Sequence, residues 1–296
     1  MAPVHSGRYL VTGAGGMLGA DLLRALDGRE VTALTRAQLD VTDLAAVRDA
    51  VRGHDVVVNA AAYTKVDDAE THEDEAYAVN AIGPQNLAIA ASDTGAKLVT
   101  LSTDYVFDGT ATSPYREDAP RDPINAYGRT KAAGEEFAIA AHPDGTYIVR
   151  TAWLYGADGP NFARTMLRLA ATNDTVSVVA DQLGQPTWTG DLARQIVGML
   201  DADAPAGIYH GTNSGETTWF GFAQAVFSAA GLNPDRVTPT DSSRFVRPAP
   251  RPSYSVLGHA AWNAVGLEPM RDWNEALADA ARHGVLEQHD NPESGR

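Results

Sequence analysis

The chain has 296 residues, 44% of them hydrophobic, with no cysteine and a formal charge of −15. Such a chain can fill one large or two modest packed domains, and the missing thiols exclude disulfides, thiolate chemistry and sulfur-ligated metals. The acidic balance argues against nucleic acid or an anionic membrane as a main partner, so an anionic ligand must be held by a local cluster of donors.

The opening MAPVHSGRYLVTGAGG carries no charged segment followed by an apolar one, and no later run reaches the length of a membrane span. A cytoplasmic location is the expectation. Residues 8–12 (RYLVT) read as a buried strand, followed by a glycine-rich turn and a helix with Leu18, Leu22, Leu23 and Leu26 on one face. Val31–Leu34 is a second strand. The Thr42/Asp43 cap then starts a helix carrying Leu44, Val47 and Val51, which stops at Gly53. Asp55–Asn59 (DVVVN) is an apolar, β-branched run suited to a parallel sheet buried on both faces.

The alternation continues with a helix over about Asp74–Ser92, a strand at Lys97–Leu101, a helix containing AYGRTK (126–131) and a strand at Tyr147–Thr151. Strands alternating with helices predict an α/β fold, a Rossmann-like doubly wound parallel sheet whose ligands sit at the carboxyl ends of its strands. After Thr151, Pro, Gly and Trp become frequent and the regularity decays, as in TAWLYGADGPNF and RPAPRPSYSVL. We therefore expect a dinucleotide-binding domain over 1–152, rejoined by about 188–212. A smaller, less regular C-terminal substrate lobe is expected from 153–187 and 213–286, and a frayed tail over 287–296.

GAGGMLG places Gly13, Gly16 and Gly19 between one strand and one helix. There the first glycine permits a tight turn, the second lets backbone approach a pyrophosphate and the third allows close packing of helix on sheet. The second strand ends Leu34-Thr35-Arg36, with no acid before Asp40. A ribose 2′-hydroxyl calls for a carboxylate at that point and a 2′-phosphate for an arginine, so NADPH is favoured, with NADH left acceptable. The small residues Ala60, Ala61 and Ala62 after the third strand let a flat ring or ribose pass close to the backbone.

LSTDYVFDG (101–109) puts hydroxyls and a carboxylate at the edge where chemistry is expected. Tyr127 and Lys131 are four apart and share a helix face. A hydroxyl from the strand end and the phenol can converge on one carbonyl oxygen, while the lysine is expected to lower the phenol's pKa and grip the nicotinamide ribose. In SSRFVRPAPRPS, Arg244, Arg247 and Arg251 offer guanidinium forks suited to a pyrophosphate.

These features resemble the extended short-chain dehydrogenase/reductases, and within them the dTDP-4-dehydrorhamnose reductase family. The likeness spans nearly the whole chain. It rests on VTGAGGMLG (11–19), NAAAYTKVDDAE (59–70), VNAIGPQNLA (79–88), STDYVFDG (102–109), AYGRTK (126–131), RTAWLYG (150–156), DQLGQPTW (181–188) and RPSYSVL (251–257). It implies a catalytic triad of Thr103, Tyr127 and Lys131. It further implies that Gly16, Met17, Leu18, Asp40, Val41, Ala62, Tyr63 and Thr64 line the cofactor, and that Thr103, Asp104, Tyr127 and Trp153 meet the sugar, with Arg251 on its phosphates.

The activity so implied is NADPH-dependent reduction of the C4 ketone of dTDP-4-dehydro-L-rhamnose to dTDP-L-rhamnose, a step of deoxysugar biosynthesis. Tyr105 stands where dehydratase relatives carry an acid, which argues against dehydration, and no acid at Thr35 or Arg36 argues against an epimerase with resident NAD. Two other readings stay open: a reductase of another nucleotide-linked 4-keto-6-deoxysugar, and a noncatalytic subunit similar to the regulatory subunit of methionine adenosyltransferase. Some family members pair through a glutamate-bound magnesium; the matching positions here are Asp21 and Asp191, and the scattered histidines show no ligand spacing. No metal is expected, and the chain is expected to be a monomer or homodimer.

Overall fold

The computed structural model describes residues 7–287. The expected tail beyond Glu287 lies outside the described residues, as do two of the scattered histidines, His5 and His289. The first half runs β1 (Arg8–Thr12), α1 (Met17–Ala25), β2 (Glu30–Leu34), α2 (Leu44–Val51), β3 (Val56–Asn59), α3 (Glu73–Tyr77), α4 (Gly83–Thr94), β4 (Lys97–Thr103), α5 (Ala126–Ala141) and β5 (Thr146–Thr151). The second half adds β6 (Leu154–Tyr155), α6 (Phe162–Thr172), β7 (Val176–Val179), β8 (Leu183–Gly184), β9 (Thr187–Trp188), α7 (Thr189–Asp201) and β10 (Gly207–His210). It closes with β11 (Thr217–Thr218), α8 (Trp219–Ala229), β12 (Val237–Thr240), α9 (Ala260–Ala264) and α10 (Trp273–Arg282).

A six-stranded sheet in the order β10-β5-β4-β3-β1-β2 is parallel at every pairing. The period-two alternation of its strands sorts side chains to two buried faces. Tyr9, Val11, Val56, Val58, Val99 and Val149 pack with Leu18 and Leu22 of α1 and Leu192 and Ile196 of α7. Their neighbours Leu10, Val57, Leu98 and Ile148 point the other way, against Val47 and Val51 of α2 and Leu87 of α4. Each fully buried Leu, Ile or Val contributes roughly 1.5–3 kcal/mol, so sequestering both faces drives this architecture.

A separate apolar cluster gathers α6, α8, α10 and the short strands: Tyr155, Met166, Trp188, Phe222, Phe227, Val237, Trp273 and Leu277. The short pairs β12–β7, β11–β8 and β6–β9 frame it. The single helix expected over Asp74–Ser92 is instead α3, a π-helical turn at Ala78–Ile82, and α4, which has proline in its first turn. The widened turn accompanies a close helix crossing, where a Cβ on Gly134 of α5 would sit 2.1 Å from the Asn80 carbonyl oxygen.

Candidate active site

The glycine turn is shaped by close approach of backbone to backbone. Gly13 has φ +68°. A Cβ there would lie 2.5 Å from the Ala61 amide nitrogen, and one on Gly19 would lie 2.4 Å from the Gly13 carbonyl oxygen. Gly16 is the N-cap of α1 and offers no side chain to the first turn, leaving its amides to an anionic ligand. Thr12, Asn59 and Thr100 join the ends of β1 and β3 to β4 through buried hydrogen bonds of 2.7 and 3.0 Å, and Asn59 Oδ1 also accepts from Ala61 N at 3.1 Å. The turn and Ala60–Ala62 thus form one cradle.

Ala14 N donates to Leu34 O at 3.1 Å, which carries Thr35 and the exposed Arg36 to the same end. Asp40 is exposed and accepts from Thr42 N and Oγ1 at 2.9 and 2.8 Å, bonds that hold its carboxyl below the usual range. Val41 is buried, its carbonyl accepting from Asn86 Nδ2 at 3.0 Å. The Tyr63 backbone is tied in both directions to Asn80, at 2.8 and 3.0 Å, and Asn80 also donates to Thr130 Oγ1 of α5 at 3.1 Å. Thr64 is exposed beside it.

Thr103 ends β4, and its hydroxyl donates to Asp104 Oδ1 at 2.9 Å. The N-terminus of α5 is fixed from two sides: Asn125 Oδ1 accepts from Gly128 N at 2.8 Å, and Glu70 Oε1 accepts from Ala126 N at 2.7 Å. That capping aims Tyr127 at the end of β4, where its ring meets Tyr105 edge to face at 5.7 Å. Burial and the Asp104 carboxylate push the Tyr127 phenol above its ordinary pKa, with Thr103 opposing. Asp104 is buried, its Oδ2 has no hydrogen-bond partner, and burial raises its pKa to about 6; Ser255 and Thr103 oppose, the former from nearby without completing a bond.

Lys131 differs from expectation. Its Nζ donates to Leu101 O at 2.6 Å, and burial lowers its pKa to about 8 while Glu135, one turn on, opposes. The same burial acts on both groups, so here the phenol is raised rather than lowered by its surroundings. Beneath the lysine, Glu135 receives Arg150 at 2.8 and 2.7 Å, with Ser102 Oγ and Arg121 completing its acceptor set. Arg150 and Glu135 are almost wholly buried, so this pair locks α5 against β4 and β5.

A cleft of about 390 Å³ opens beside Tyr105, bounded also by Phe162, Gln182, Trp219, Arg247 and Arg251. Trp153 adopts φ +46°, a backbone region that a bulky residue enters only when its surroundings hold it there. Its ring stacks on Trp219 at 3.6 Å, with β8 close beneath, where a Cβ on Gly184 would meet the indole at 2.6 Å. Arg251 lies over the Tyr105 ring at 5.9 Å and pairs with Asp67 at 3.0 Å. Arg247 reaches the same carboxylate at 3.6 Å, whereas Arg244 is exposed and does not line the cleft. A larger groove of about 610 Å³ around Trp188, Asp191 and Arg271 shares no residue with this cleft.

Asp21 and Asp191 are engaged by other partners. Asp21 accepts from Arg24 at 2.7 Å and from Thr189, and Asp191 from Arg271 at 2.9 Å, Asn213 at 2.9 Å and Arg194. Among the described residues no group of three His, Asp or Glu side chains is placed to hold a metal ion. Sequence reading missed Asn59, Asp67, Asn80, Glu135, Arg150 and Trp219. Asn125, directly before Ala126, carried a usable signal, since Asn before a helical stretch is a cap.

Residues 7–285 match the family model described as the RmlD substrate binding domain. The chain is similar to a dTDP-4-dehydrorhamnose reductase of Streptomyces griseus, 54% identical with 95% of each chain covered. It is also similar to a dTDP-4-keto-6-deoxy-D-glucose reductase of Streptomyces niveus, 50% identical over 92% of this chain and 96% of the other. A crystal structure of dTDP-4-dehydrorhamnose reductase from Bacillus anthracis in complex with NADP superposes with a TM-score of 0.90, at 39% identity, covering 94% of this chain and 99% of the other.

Proposed function

Because the chain belongs to the RmlD substrate binding domain family, we propose that it reduces the C4 ketone of dTDP-4-dehydro-L-rhamnose to give dTDP-L-rhamnose. It is an NAD(P)-dependent oxidoreductase with a Rossmann-like α/β fold. The observation that supports the reading most is that α5 borders the carboxyl end of β4, with Tyr127 against Tyr105 just past Thr103 and Lys131 Nζ on Leu101 O, on a sheet whose first turn is glycine-rich as a dinucleotide requires.

The residues present fit NADPH. Gly13 and Gly19 hold the turn close to Ala61 and Ala14, Gly16 with Ala60–Ala62 admits it along backbone, the uncapped start of α1 suits its pyrophosphate, and Arg36 suits the 2′-phosphate. When bound, it supplies the hydride. Thr103 and Tyr127 orient the ketone oxygen. Tyr127 delivers a proton to that oxygen as it gains charge, and Lys131 holds the ribose side of the site.

The segments 153–187 and 213–286 act as the substrate lobe in this reading, with Trp153 against the deoxysugar and Arg251 on the pyrophosphate. A raised phenol pKa suits the direction of reaction, since Tyr127 enters the step protonated. The comparable similarity to a reductase named for a D-glucose-derived ketosugar favours a second substrate for trial. The test is to supply NADPH with each ketosugar and identify the product by NMR. Oxidation with dTDP-L-rhamnose formed is expected; turnover of the D-glucose-derived ketosugar alone would favour the second reading.

A further inference from the structure

Two arginines of the cleft are paired with an anion of the protein's own. Asp67 lies between β3 and α3 and contacts residues 247–251. One carboxylate oxygen pairs with Arg251 Nη2 at 3.0 Å and accepts from Ala249 N at 3.3 Å, while the other faces Arg247 Nη1 at 3.6 Å. Both arginines line the cleft. A carboxylate held by two guanidinium groups has the charge pattern of one phosphate of a diphosphate held by the same forks.

We propose that Asp67 is an internal counter-anion occupying the diphosphate-binding arginines, which a nucleotide diphosphate must displace, so that Asp67 sets the affinity for the substrate's phosphates. This rests on the reading that Arg247 and Arg251 receive those phosphates. The alternative, that Asp67 chiefly holds the arginines in place, is poorly served by the geometry. Arg251 has two other anchors, the Ala249 carbonyl at 2.9 Å and the face of Tyr105 at 5.9 Å. Arg247 meets Asp67 only at long range, and its side chain is 61% exposed.

Asp67 therefore adds little positioning while its charge opposes an incoming diphosphate. In a chain of net charge −15, local carboxylates weigh on any anionic ligand. Substituting Asp67→Asn keeps an oxygen able to accept from Ala249 N and Arg251, and removes the charge.

The experiment is calorimetric titration of the full chain with dTDP and with thymidine, comparing wild type, Asp67→Asn and Arg251→Gln. Asp67→Asn is expected to bind dTDP about three- to tenfold more tightly, the scale of breaking two partly exposed ion pairs. Thymidine binding should not change, and the gain should shrink as salt is raised. Unchanged or weaker dTDP binding by Asp67→Asn, with Arg251→Gln weakened as expected, would overturn the counter-anion role alone. Unaltered dTDP binding by Arg251→Gln would overturn the phosphate reading and the proposal with it.

Discussion

Gly128 follows the proposed acid Tyr127 directly, and the space available to it sets how closely α5 approaches β4. A Cβ at this position would lie 2.2 Å from the Tyr105 carbonyl oxygen and 2.9 Å from Pro123 Cβ. A tolerable carbon–oxygen separation is about 3.3 Å, so Gly128→Ala must open this contact by about 1 Å. Tyr105 lies on the turn immediately after Thr103 and Asp104, so the displacement enlarges the gap between Thr103 and Tyr127. Misplacing reacting groups by that distance costs on the order of 10²-fold in rate, and overpacking costs roughly 1–3 kcal/mol of stability. Steady-state kinetics, NADPH titration and urea unfolding of the same preparation separate the two effects. The expected result is a kcat about a hundredfold lower, with NADPH still bound by the glycine turn. A Gly128→Ala enzyme with wild-type kcat and stability would refute the idea that this contact sets the geometry of the pair.

Arg150→Met should destabilise the fold by about 3–5 kcal/mol, read from the urea midpoint, because the buried Glu135 would lose its two-pronged partner and keep Ser102, the partly exposed Arg121 and the more distant Lys131. Glu135→Leu combined with Arg150→Met should recover most of that loss, and failure of the pair to couple would contradict the buried ion-pair account. NADPH affinity should fall as pH rises through about 8, where the buried Lys131 ammonium loses its proton. The depressed pKa also has a stability sign: below about pH 8 burying the charged amine opposes folding in full, and because the unfolded chain holds a proton that the folded chain releases, that cost is relieved as pH rises from about 8 to the unfolded value near 10.5. Lys131→Met should remove the pH dependence of NADPH binding; a persisting slope would assign it to another group.

The main sheet was legible because its signals are local. The continuous apolar runs around Val57 and Leu98, and the glycines between Thr12 and Leu18, each specify a strand or turn within a few residues. The proposed triad rests on a related signal: strand end and following helix are neighbours by topology, which puts Thr103 and the helix face carrying Tyr127 and Lys131 at one edge of the sheet. What escaped depends on partners distant in sequence. Nothing around Asp67 points to Ala249, 182 residues later, and the Trp153–Trp219 stack joins a strand end to a helix start across the irregular half. Glu135 and Arg150 each read as ordinary charges until burial of both is seen. The direction of the Tyr127 shift was misjudged because spacing shows an ammonium one turn away but neither the burial nor the Asp104 carboxylate that raise the phenol.

The central claim is that the Tyr127 phenol delivers the proton to the ketone oxygen. Single-turnover reduction of dTDP-4-dehydro-L-rhamnose by NADPH-loaded wild-type and Tyr127→Phe enzyme tests it most directly. The account predicts a reduction rate lower by about 10²–10⁴-fold in Tyr127→Phe with NADPH affinity retained, and a variant that reduces the ketosugar at the wild-type rate would contradict it.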